Sequence, residues 1–151
     1  MSGEEIVSIV DAIHVSSITL LVPLIDKYPI LKDILNKSKS KRPADDWDFF
    51  MTAAGSGLVL TSDETYKGEH EKVLGRASEI NKDIPRAIDD FISFTNKNKG
   101  KEEMVATTIG LWVLWNLKQE EPTYDETKEL APIIGNFLLK LIADWRNSPK
   151  T

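Results

Sequence analysis

Residues 45–60 read DDWDFFMTAAGSGLVL, from Asp45 to Leu60. Trp47, Phe50, Met51, Ala54 and Leu58 recur at i, i+3, i+4, i+7 and i+11, the spacing of one helix face. The centre of the stretch, Ala53-Ala54-Gly55-Ser56-Gly57, holds only small residues. A glycine inside a helix costs about 1 kcal/mol against alanine. Two of them make sense where they let another backbone come close, so a tight helix crossing is expected here. The rival reading ends the helix at Gly55 and leaves Leu58-Val59-Leu60 extended. The first reading makes the chain all-α; the second admits a strand.

The same rhythm continues on both sides. Upstream, Ile6, Val7, Ile9, Val10, Ile13, Ile18, Leu20, Leu21, Leu24 and Ile25 fill a wide arc. They predict a helix buried over more than half its circumference. Pro23 lacks an amide donor and is expected to kink or break that helix near Leu20. Pro29 starts a short second helix to Leu35. Asn36 to Arg42, NKSKSKR, has no apolar residue and reads as a surface loop.

Downstream, Ser62 or Asp63 caps a helix that runs to about Lys82, with Tyr66, His70, Val73, Leu74, Ala77 and Ile80 inward. Asp83 caps the next, with Pro85 in its first turn and Ile84, Ile88, Phe91, Ile92 and Thr95 as its stripe. Gly100 is its expected stop. Lys101 to Gln119 is apolar almost all round, which marks a central helix. Thr123-x-x-Glu126 is a capping box. It opens a stripe of Leu130, Ile134, Phe137, Leu138, Leu141 and Trp145, and Pro132 predicts a kink or fresh start near Ala131. No repeat appears. The reading is one domain over residues 1–151, an all-α compact bundle of six to seven helices, with a polar tail at 147–151. It is expected to be built around two mostly buried helices, near Ile6–Val22 and Met104–Leu117.

Composition narrows function mainly by exclusion. The 151 residues are 41% hydrophobic and 28% charged, ordinary for a folded domain. There is no cysteine, hence no disulfide, thiolate nucleophile or Cys-based metal site. The net charge of −5 opposes nucleic-acid binding and anionic membranes. The start, Met1-Ser2-Gly3-Glu4-Glu5, is acidic and unlike a secretory signal. The longest unbroken apolar run, Leu111 to Trp115, falls far short of the ~20 residues of a membrane span. A soluble, cytoplasmic protein is expected. Phosphate loop, dinucleotide fingerprint, zinc helix and nucleophile elbow are all missing, and no cofactor is implied.

The candidate sites are few. His70, between Glu69 and Glu71, is a potential metal ligand or general base; a hydrogen-bonded, partly buried histidine is the plainer reading. His14 sits in the buried arc of the first helix, with Asp11 in reach. If the two histidines meet, His70, His14 and Glu69 suit a divalent metal. Trp112, Trp115 and Trp145, with Trp47, are core residues on their helical stripes, or else line an apolar pocket or anchor a partner. The lysine runs 37–42 and 97–101 are solvated linkers or phosphate contacts. Asp45, Asp46 and Asp48 oppose a helix dipole or hold a hard cation. The sequence therefore favours a non-enzymatic helical interaction module that pairs with itself or another protein. The alternatives are a metal- or small-molecule-binding protein with a histidine/carboxylate site, and a carrier of an apolar ligand.

Overall fold

The computed structural model describes residues 3–38, 40–62, 70–98 and 105–147. They form eight helical segments: α1 Gly3–Lys27, α2 Pro29–Asn36, α3 Pro43–Ser62, α4 His70–Ile80, α5 Ile84–Lys97, α6 Val105–Lys118, α7 Tyr124–Glu129 and α8 Ala131–Asn147. No strand occurs among the described residues. The chain is an all-α bundle.

Residues 45–60 lie at its centre. Helix α3 continues through both glycines, and every residue from Met51 to Leu60 is buried. Leu58-Val59-Leu60 is helical. The small residues explain how α3 packs against α1, α2, α4, α5, α6 and α8. A Cβ on Gly55 would stand 2.6 Å from Ile13 Cγ2 of α1, and one on Gly57 would run into the Phe91 ring of α5. The crossing expected from the glycines is therefore two crossings, one on each side of the helix.

Two expectations change. Of the kink or break expected from Pro23, the break does not occur: helix α1 runs through Pro23 to Lys27. Pro23 and Thr19, the residue whose carbonyl loses its donor, are both exposed, so water can satisfy that carbonyl. Nor is α1 mostly buried: a third (33%) of residues 8–27 is. Ile9, Val10, Ile13, Leu21 and Leu24 point into the core, but Val15, Ile18 and Val22 point out. Helix α3 takes the central place because its small residues admit neighbours all round.

Helices α6 and α8 close the other side. A Cβ on Gly110 would fall on the Ala131 carbonyl, and one on Gly135 on the Ala106 carbonyl. Each glycine thus seats the backbone of the opposite helix. The capping box forms as read: the Glu126 amide donates to Thr123 Oγ1 at 3.2 Å, and the Thr123 amide donates to Glu126 Oε1 at 2.7 Å. The restart at Ala131 also occurs, just before Pro132. Asp83 does precede α5, but its side chain caps nothing; instead Asn81 Oδ1 accepts the Asp83 amide. Residues 63–69, the expected start of α4, and Gly100 lie outside the described residues.

Candidate functional site

A cleft of about 430 Å³ opens between α1, the first turns of α3 and the turn joining α4 to α5. Antiparallel packing of α1 on α3 brings His14 over Asp48, with Nδ1 2.7 Å from Oδ1. An ionised carboxylate only accepts, so Nδ1 carries a proton in this contact, and in the neutral imidazole that leaves the lone pair on Nε2. Thr52 Oγ1 donates to the same Asp48 oxygen at 3.4 Å. Burial raises the Asp48 carboxyl above its ordinary value, while His14 and Thr52 pull it back without cancelling the rise. The pair is partly buried, with side chains 27% and 18% exposed.

Helix α4 supplies the opposite wall. Arg76 Nε and Nη2 both donate to Asp11 Oδ1 at 2.8 Å, and Nη1 donates to Glu79 Oε2 at 2.8 Å. The Asp11 and Glu79 carboxylates raise the Arg76 guanidinium above its ordinary value. Phe49, Ile80 and Ile84 supply the apolar part of the lining.

The structure separates the residues that the sequence grouped. His14 faces the cleft, but its carboxylate partner is Asp48, 34 residues on, because Arg76 occupies Asp11. His70 was expected on the inward stripe; it is exposed, and the inward side of α4 begins at Val73. It lies at the first residue of α4, and the cleft wall on that helix starts at Arg76, about 9 Å along the axis. Glu69 lies outside the described residues. Among the described residues no three metal-ligating side chains converge. Nothing in the spacing of the sequence pointed to Asp48 as the partner of His14.

The tryptophans divide. Trp47 is buried and its Nε1 donates to the Ser17 carbonyl oxygen at 2.9 Å, tying α3 to α1. Trp112 is buried among Phe50 and Phe91 and donates to Asp90 Oδ2 at 2.9 Å. Trp115 is 40% exposed and meets the edge of Phe94. Trp145 is half-buried against the core. None of them lines the cleft.

A second cleft of about 270 Å³ lies between the end of α2 and the α6–α7 turn. Its central ion pair is turned inward: the Lys118 ammonium donates to Glu126, whose carboxylate also holds the capping box. Burial works against the Glu126 charge, but Lys118 and the Thr123 amide outweigh it and hold the carboxyl below its ordinary value. This cluster stabilises the turn.

The outer face of α1 is apolar. Val15, Ile18 and Val22 are 59%, 52% and 66% exposed. No Asp, Glu, Lys or Arg occurs between Asp11 and Asp26. Residues 8–27, with a mean hydropathy of 1.8, are long and apolar enough to cross a membrane, and a third of the window (33%) is buried in the bundle.

No family model matches the chain, and neither a curated protein nor a solved structure matches it.

Proposed function

We propose that the chain is a non-enzymatic helical interaction module that pairs with a second copy of itself through the outer face of α1. The supporting observation is the pattern of what α1 exposes. Val15, Ile18, Thr19 and Val22 face outward, and their positions are symmetric about the midpoint between Ile18 and Thr19. A second helix laid antiparallel across that midpoint sets Val15 against the second copy's Val22, and Ile18 beside the second copy's Thr19. A twofold contact needs this self-complementarity. No charge lies within the stripe, so pairing buries no unpaired ion.

Multi-angle light scattering tests the reading. The expected mass is twice the 17.0 kDa of the chain. Ile18→Glu, at an exposed position, is expected to fold and to run as a monomer. A wild-type monomer at high concentration defeats the proposal. So does a dimer that Ile18→Glu leaves intact. Recovery of the wild-type chain with sedimented lipid vesicles, lost in Ile18→Glu, would assign the same face to a membrane surface instead.

A further inference from the structure

The cleft beside His14 has the size of a small-molecule site; such sites run from roughly 300 to 1,000 Å³. Its charge is unbalanced. Asp45, Asp48 and Glu79 line it against one fixed cation, Arg76. That guanidinium is already engaged by Asp11 and Glu79. Asp45, by contrast, has one ion pair among the described residues, to Arg42 at 3.9 Å, with both side chains largely in solvent. Such a contact holds little energy.

The acceptors are also unbalanced. His14 Nδ1 faces Asp48, so in the neutral imidazole Nε2 is left as an acceptor, and among the described residues no donor is bonded to it. An anion would meet excess negative charge and a guanidinium with no spare fork. A bare divalent ion would lack a third ligand among the described side chains. A cation with several N–H donors and an apolar body meets none of these objections. Its donors find Asp45 and His14 Nε2, and its body finds Phe49 and Ile84. An aromatic ring beside the carboxylates adds cation–π attraction.

We propose that this cleft binds a small organic cation of the arylalkylammonium class, the ammonium group resting on Asp45 and His14 Nε2 and the apolar part on Phe49 and Ile84. The proposal does not depend on pairing through α1, because the cleft lies between α1, α3 and α4 and includes none of the outward residues Val15, Ile18 and Val22.

The chain has two histidines, which makes the test direct. Proton NMR of the full chain gives two imidazole Cε1 resonances, assigned by the His70→Gln variant. Benzylammonium chloride is titrated in at constant pH, with sodium benzoate as the anionic control. The expected result is a saturable shift of the His14 resonance with benzylammonium, no shift with benzoate and a stationary His70. Asp45→Lys places a like charge at the ammonium position and is expected to weaken benzylammonium about tenfold. Asp45 is exposed, so an unchanged circular dichroism spectrum accompanies the variant. Absence of saturation, an equal shift with benzoate, or unchanged affinity in Asp45→Lys overturns the proposal.

Discussion

Gly110 of α6 lies directly against the backbone carbonyl of Ala131 at the start of α8, with no room for a Cβ between them. Gly135 repeats the relation against the Ala106 carbonyl in the opposite sense. A backbone carbonyl cannot rotate away as a side chain can. The two helices therefore meet at a distance only glycine permits, and a single methyl at either point must push them apart.

The first prediction contrasts two glycines. Gly110→Ala is expected to cost about 3 kcal/mol or more, since overpacking that displaces backbone lies at the upper end of the usual range. Gly75→Ala adds a methyl on α4 where nothing lies within 4 Å. It is expected to gain about 1 kcal/mol from helix propensity. Urea denaturation of both variants checks the contrast; equal effects would refute the close approach of α6 to α8.

A second prediction concerns Glu126. Its carboxyl is held below the ordinary value of 4.5, so the unfolded chain takes up the proton first. The stability it contributes is full above that value and is lost as pH falls through the lower, folded value. Glu126→Gln, which leaves the partly buried Lys118 with only the exposed Glu120 at 3.9 Å, is expected to cost about 2 kcal/mol at pH 7 and clearly less at pH 3. Denaturation midpoints at both pH values give the answer. A penalty that does not shrink in acid would mean that the charge is not what matters.

The third concerns the His14–Asp48 pair, where the sign reverses. Burial raises the Asp48 carboxyl above 3.8, and His14 opposes that rise. Removing the imidazole lets the folded-state value climb further. The resulting penalty is absent below the unfolded value and accumulates as pH rises through the folded one. His14→Ala is expected to destabilise by about 1 kcal/mol more at pH 7 than at pH 3.5. A pH-independent loss would reduce His14 to packing alone.

The fourth concerns the end of α6. Gln119 has φ of 60°, the one positive value for a non-glycine residue among the described positions. Its amide still donates to the Trp115 carbonyl at 2.8 Å. Glycine adopts this left-handed turn without the Cβ clash. Gln119→Gly is expected to raise the free energy of unfolding by about 0.5–1 kcal/mol, against the loss that glycine causes inside a helix. Thermal unfolding of the variant provides the check.

The helices were legible in the sequence because their causes are local. Apolar spacing, Pro29 at a first turn, and the Thr123–Glu126 box act within one or two turns of chain, and each element they predict is present. Outward and inward faces were legible only where a stripe was narrow, as with Ile84, Ile88 and Phe91 on α5. Helix α1 is apolar over too wide an arc for its pattern to choose a face. Neighbouring helices decided that Ile13 turns in and Val15 and Ile18 turn out. The site depended on the same kind of choice. Asp11 was close to His14 in sequence, but Arg76, 65 residues from Asp11, claimed it and left His14 to Asp48 across the α1–α3 contact. Short-range hydrogen bonding and hydrophobic periodicity are written in the order of residues. Which carboxylate meets which base, and which apolar face stays uncovered, follow from competition among distant groups, and the packed tertiary structure alone resolves it.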